Sequence, residues 1–279
     1  MDTYLLEIGV AWCACDIRVN DVPIFEDPGD DGRVDLERVV SHFVWTGSNA
    51  LSFELLPLPS NEERAAVPLH DPRVACEVRL QRRGASGGVE TVAALAFSGA
   101  RLRADAADLG VTADGAREGA RVIQADATRV AVWCEATVSE DIPRWSWTTG
   151  SALDASPALR AQLVARYAAI AQAAARRDTT FIREALSENE REVQLAMDCD
   201  EPSAREILGV EALVVDPSVE AVPVTDDARM EVFGYGRLAR LVDRYGDSAL
   251  QFREPARGLR TYVDLFLADL PGRGLTAVR

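Results

Sequence analysis

The sequence predicts a mixed fold, with an antiparallel β-sandwich over residues 1–148 followed by an α+β domain over 149–279 in which helices precede an antiparallel meander. Three observations predict it. The first is one strong helical stretch, Ser156 to Arg177, placed near the middle of the chain. Ser156 is a good N-cap and Pro157 suits the first helical position, where a missing N–H costs nothing. Leu159, Leu163, Tyr167, Ile170 and Ala174 recur at steps of three and four, so one face is apolar. The second is that everything before this helix alternates in the period of strands, with turn residues between. The third is that more helix and then more strands follow it. With 279 residues, 48% of them apolar, the chain can bury two cores.

From the N-terminus, residues 4 to 25 read as two strands or one bent one, with Ile17 and Val19 facing one way and Arg18 and Asn20 the other. Asn20-Asp21 suits a tight turn, because both residues tolerate positive φ. FEDPGDDGR reads as a loop, and Thr46 to Asn49 as a turn into a strand from Ala50 to Leu56. A proline-bearing loop runs from Pro57 to Pro72. ACEVRLQRR then alternates Cys76, Val78 and Leu80 against Glu77, Arg79 and Gln81, and VETVAALAFSG returns beside it as a hairpin. Residues 100 to 120 read as a loop or a marginal helix, and 120 to 141 as one or two more strands. Seven or eight strands in all fit a sandwich better than a parallel sheet. Trp145 and Trp147 close this half, two apart and so on one face if extended.

A strand ending in Ile17, Val19, Asn20, Asp21 and Val22, followed after a loop by Gly47, Asn49 and Leu51 entering the next strand, resembles the accessory β-sandwiches of the galactose-binding-like kind. The likeness spans about residues 10 to 57 and matches turns, so it carries over no sugar-contacting residue. In the second half, Asp178 or Thr179 caps a helix TFIREALSENEREVQLAMD with Phe181, Ile182, Leu186, Val193 and Met197 as core contacts. A third short helix begins near Pro202, as SAREILGVEAL. VEAVPV, ARMEVF, RLARLVDRY, ALQFRE and LRTYVDLFLADL read as strands, separated by turns at 245–247, 255–258 and 271–274. This order resembles the nuclear-transport-factor-2-like (NTF2-like) fold, whose sheet wraps helices around a pocket. The catalytic Asp and His of the enzymatic members of that family match no position of this chain, so none is carried over.

Net charge is −15, with 45 acidic side chains against 30 basic, and every basic one is arginine. Such a surface disfavours nucleic acid and anionic lipid, and suits a basic protein partner. The N-terminus lacks the pattern of a secretory signal, no stretch approaches the ~20 apolar residues of a membrane span, and five cysteines without a signal suit a reducing cytoplasm.

Motifs add little chemistry. Gly234-Tyr235-Gly236-Arg237-Leu238-Ala239 matches a dinucleotide fingerprint with Glu254 at the ribose-acid distance, but too near the C-terminus for a βαβαβ sheet, and the segment reads better as a hairpin. Cys13 and Cys15 share a strand face without a second ligand pair for zinc, so they read as small hydrophobes. Ser41 and His42 are adjacent on an extended segment and cannot form a triad. Asp198, Asp200, Glu201, Asp226 and Asp227 read as turns and caps. No cofactor and no catalytic or metal residue is expected. The leading expectation is a non-enzymatic binding protein of a bacterial cytoplasm, such as an immunity-type protein holding a basic partner. The alternative is a small-molecule carrier or enzyme using the second domain, and a third is carbohydrate binding by the sandwich. The expected binding residues are Trp145 and Trp147 at the junction, and Tyr167, Asp243, Gln251 and Tyr262 around a pocket.

Overall fold

The computed structural model describes residues 2–29, 32–61, 64–84, 86–102, 111–114, 120–125 and 128–278. It is a strand-rich α+β protein with antiparallel sheets, divided into two compact units, residues 1–143 and 144–279. The division precedes the expected 148/149 boundary, so Trp145 and Trp147 belong to the second unit.

The first unit holds ten strands among the described residues. They are β1 (Thr3–Ala11), β2 (Ala14–Val19), β3 (Val22–Asp27), β4 (Arg33–Val39), β5 (Gly47–Leu56), β6 (Ala75–Arg83), β7 (Val89–Ser98), β8 (Val111–Asp114), β9 (Arg121–Ala125) and β10 (Val130–Val138). They form two five-stranded sheets, in the orders β4-β1-β6-β7-β8 and β3-β2-β5-β10-β9. Burial follows the period of two. Cys15, Ile17 and Val19 of β2, and Cys76, Val78 and Leu80 of β6, are buried while their neighbours are not. β3 runs on to Asp27, where a loop was expected at 25–33, because Phe25 to Asp27 pair with Ile17 to Cys15 beyond a bulge. Most of 100–120 lies outside the described residues.

The Asn20-Asp21 turn has φ of 52° and 63°, the doubly left-handed geometry that matches strand twist. Asn20 also bridges elements. Its Nδ2 donates to Phe43 O (2.7 Å) and to Asn49 Oδ1 (2.8 Å), and its Oδ1 accepts from Ala50 N (2.8 Å). Asn49 Nδ2 donates to Trp45 O and Gly47 O. Both asparagines are buried, so the turn motif read from the sequence is a hydrogen-bonded joint.

The second unit begins with a 3₁₀ turn at Ser146–Thr149, so Trp145 and Trp147 do not share an extended strand, and both are buried. Helices α1 (Pro157–Ala175), α2 (Thr179–Met197), α3 (Glu201–Leu208) and α4 (Val210–Val215) follow. Ser156 Oγ caps α1 and the Asp178 side chain caps α2. The single third helix read from the sequence is two, because Gly209 takes φ +68° and ends α3. Met197, expected in the core, is the last residue of α2 and is 37% exposed.

Seven strands complete the unit: β11 (Glu220–Ala221), β12 (Arg229–Phe233), β13 (Leu238–Val242), β14 (Gln251–Glu254), β15 (Leu259–Tyr262), β16 (Leu267–Leu270) and β17 (Gly274–Ala277). They form two sheets, β11-β14-β15 and β12-β13-β16-β17, where one was expected. LRTYVDLFLADL, read as one strand, therefore splits. Asp264 interrupts its apolar run, and the chain passes from one sheet to the other over 263–266. Gly234, Tyr235 and Gly236, all at positive φ, make the β12–β13 hairpin turn, and no helix follows them. The apolar face of α1 meets Ile182, Leu186, Leu241, Leu250, Phe252, Leu265 and Leu267 in one core.

Candidate ligand cleft

Helix α2 carries a stripe at three- and four-residue steps: Ile182, Leu186, Asn189, Val193 and Ala196. All five are buried. Asn189 is thus an amide standing where the periodicity calls for a hydrocarbon. It is 3% exposed and its Oδ1 has no hydrogen-bond partner. A buried acceptor left unpaired costs about 1–3 kcal/mol.

Asn189 lines a cleft of about 430 Å³. Leu186 and Asn189 of α2, Ile207 to Val210 at the α3–α4 junction, Leu213 of α4, and residues 261–265 surround it. The junction is held by Gly209 N, which bonds Arg205 O at 2.9 Å. Arg177 donates to Val214 O (2.5 Å) and Val219 O (2.8 Å) and so anchors the end of α4. Across the cleft, Val263 N bonds Leu250 O and Tyr167 Oη donates to Leu265 O, which fixes the 263–265 segment. The walls are mostly apolar, and Asp264 is the one charged residue among those lining it.

A second cleft, about 270 Å³, contains Asp243, Gln251, Arg260, Tyr245 and Asp227. Asp243 and Gln251 are occupied there. Asp243 Oδ1 accepts from Tyr245 N (2.8 Å) and Asp247 N (3.1 Å), and its Oδ2 accepts from Gln251 Nε2 (3.0 Å). Gln251 Nε2 also donates to Ser248 O at 2.9 Å. These bonds fold the turn that leads into β14.

The six residues expected to bind therefore separate. Asp243 and Gln251 meet in the second cleft. Tyr262 pairs with Gln251 across β14–β15 yet lines the first. Trp145, Trp147 and Tyr167 are at most 1% exposed and line neither. Tyr167 serves packing, because its hydroxyl both donates to Leu265 O and accepts from Leu241 N (3.2 Å). Its pKa is pushed far up by burial. The residues missed by sequence reasoning are Asn189, Asp264, Ile207 and Leu213. For Asn189 the signal was available as a polar residue on the apolar stripe.

Elsewhere on α2, Glu192 is 2% exposed, and its Oε1 accepts from Ser146 N (2.7 Å) and from Ser146 Oγ. Its Oε2 has no partner. Burial drives its pKa up to about 7, and the Ser146 bonds only partly oppose this. For Glu188 burial also acts upward, but the Arg191 and Arg273 guanidiniums outweigh it and hold the group below the usual carboxylate range. Of the acids read as turns and caps, Asp226 and Asp227 lie in a turn and Asp200 is a cap. Asp200 Oδ1 accepts from Ser203 N at the start of α3, and Glu201 pairs with Arg205.

The thiols of Cys13 and Cys134 are buried, and burial raises them to about 12 and about 11. Among the described residues no group of three or more His, Cys, Asp or Glu side chains is placed to hold a metal ion. No helix among them is long and apolar enough to cross a membrane. Comparison with protein-family models, with curated proteins and with solved structures found no match to this chain.

Proposed function

We propose that this is a non-enzymatic binding protein whose second unit takes a small, largely apolar ligand in the cleft between α2, the α3–α4 junction and residues 261–265. The observation that carries the reading is the cleft of about 430 Å³ itself, whose mostly apolar walls include one nearly buried amide, Asn189. Ligand pockets of roughly 300–1,000 Å³ combine apolar walls with few polar groups that fix orientation. In this reading the two five-stranded sheets are the layers of an accessory β-sandwich of the galactose-binding-like kind, supported by their alternating burial. The second unit is an NTF2-like domain, supported by helices that precede the strands. Free, largely buried cysteines support a cytoplasmic setting.

Replacing Asn189 by leucine tests the reading through an opposition of stability and binding. The variant loses a buried unpaired acceptor and keeps nearly the same volume, so it should gain about 1–3 kcal/mol in urea unfolding. It should also weaken the response of residues 207–213 and 261–265 to phenethyl alcohol in amide spectra. A variant that is less stable, or that binds the alcohol as the wild type does, would count against the cleft as a site.

Charge supports a second reading, a basic protein partner on the first unit. That unit has 24 acidic side chains against 13 arginines, whereas the second has 21 against 17. The exposed acids of β1, β4 and β6 are partly neutralised across strands, as in Arg79–Glu7 (3.2 Å) and Arg83–Glu37 (3.1 Å). Association should then weaken strongly between low and physiological salt. Capture of a basic protein that persists unchanged in high salt would remove this reading.

A further inference from the structure

We infer that the cleft takes an extended peptide segment of a basic partner, which pairs with the free edge of β15 as a further strand and sets an apolar side chain between the walls. The inference rests on the cleft being a binding site. β15 ends the three-stranded sheet β11-β14-β15, and all four of its residues are exposed, Leu259 at 47% and Tyr262 at 43%. The ladder decides which backbone groups are left over. Val263 N donates to Leu250 O at 3.0 Å, and Val222 N donates to Gln251 O at 2.8 Å, so Gln251 faces β11. Antiparallel bonding alternates residue by residue. Leu259, Thr261 and Val263 therefore face β14, and Arg260, Tyr262 and Asp264 turn their N–H and C=O groups the other way. None of these six groups has a hydrogen-bond partner among the described residues.

The cleft faces this same edge. Residues 261–265 line it without a gap. Side chains of an extended chain alternate between faces, so consecutive residues line one cleft only where their backbone edge is turned to it. Opposite stands Asn189, whose Oδ1 is buried and whose Nδ2 donates to nothing among the described residues. Unpaired N–H and C=O groups that repeat every two residues, about 6.8 Å, are the complement of another extended backbone. A strand lying there pairs with Tyr262 and Asp264 on one side and offers Asn189 Nδ2 a carbonyl on the other.

Leu186, Val210, Leu213 and Leu265 receive the apolar side chain of the segment. Charge selects what flanks it. Residues 198–216, which include the α3–α4 wall, carry six acidic side chains and one arginine. Arg205, paired with Glu190 and Glu201, and Arg183, paired with Glu211, neutralise only part of that charge. Basic flanks are attracted to such a wall and acidic ones repelled. A second copy of this chain is disfavoured on two counts. It carries a net charge of −15 and brings another acidic wall. Its β15 also arrives with β14 behind it, on the side where α2 and the α3–α4 junction already bound the cleft.

The test uses the full chain and the peptide Ac-RTVLVTR-amide, followed by amide shifts and calorimetry at low salt. The peptide should shift residues 207–213 and 261–265. Two forms N-methylated at alternate residues should differ in affinity about tenfold or more, because only one set of amides faces β15. A glutamate-flanked form, Ac-ETVLVTE-amide, should bind about tenfold more weakly than the parent. In the protein, Tyr262→Pro removes an outward N–H and leaves the ladder to β14 intact, so the variant should fold and lose the peptide. Tyr262→Ala keeps that N–H and should keep most of the binding. If the proline variant does not fold, the methylated pair decides. Equal affinity of the two methylated forms, or equal losses in the two Tyr262 variants, overturns strand pairing. Indifference to the flanks overturns the basic partner. A dimer that protects residues 259–262 from hydrogen exchange gives the edge to a second copy and also overturns the assignment. Shifts with phenethyl alcohol but not with the peptide overturn this inference and leave the cleft as a site, whereas no shift with either overturns the cleft itself.

Discussion

Trp147→Ala is expected to destabilise the protein by about 3–5 kcal/mol, the usual cost of removing a large buried aromatic. Trp147 is 1% exposed, and its ring lies against the β12–β13 turn, where a Cβ on Gly234 would stand 3.0 Å from Trp147 Cζ3 and 3.3 Å from Leu238 Cδ1. The same contact predicts coupling. Gly234→Ala alone carries two penalties, a left-handed backbone at φ +60° and the clash with the indole. In a Trp147→Ala background the clash with the ring is gone and only the backbone term of about 1–2 kcal/mol and the Leu238 contact remain. Urea unfolding of the two single variants and the double variant measures this. Additive effects would mean that the indole does not set the shape of the turn.

Glu192→Gln should stabilise the protein at neutral and alkaline pH by an amount that vanishes in acid. The folded-state pKa, about 7, exceeds the ordinary value of 4.5, so the folded protein binds the proton more tightly than the unfolded chain. The protonated group's contribution is fully present below pH 4.5, falls as pH rises, and is lost above 7. The difference corresponds to about 3 kcal/mol. Glutamine stays neutral and can still accept from Ser146 N and Oγ. Arg191, 3.9 Å from Glu192 Oε1, and the neighbouring Glu188 are left in place. Curves of stability against pH for wild type and variant should meet near pH 4.5 and separate toward pH 8, with the variant higher. Parallel curves would show that folding leaves the Glu192 pKa at its ordinary value. Exposed carboxylates work in the opposite sense. Asp71, lowered to about 2 by Arg73, favours folding above its unfolded pKa, and that contribution disappears in strong acid.

Legibility of the chain followed the range of the interactions concerned. Local chemistry was readable: the Ser156 cap, the apolar face of α1, the Asn20-Asp21 turn and the alternation of β6 all stand where the residues place them. Pairing between distant segments was not. Nothing local distinguishes a single strand over LRTYVDLFLADL from two strands in different sheets, because the choice depends on Leu250 and Tyr167, which bond the intervening segment. The cleft lay between these cases. Asn189 is conspicuous on its stripe, but its meaning depends on α3, α4 and residues 261–265 closing around it. The tryptophans misled for a related reason. Their spacing of two implies a shared face only in an extended chain, and the 3₁₀ turn removes that premise.

The strand orders of the second unit have a mechanical consequence. Following the chain, β11 belongs to the three-stranded sheet, β12 and β13 to the four-stranded one, β14 and β15 to the first again, and β16 and β17 to the second. The two layers are interlaced, each waiting on a strand that the backbone supplies only after visiting the other. Neither is completed before the chain has entered the other, so the later-pairing strands of each must close loops that span part of its neighbour.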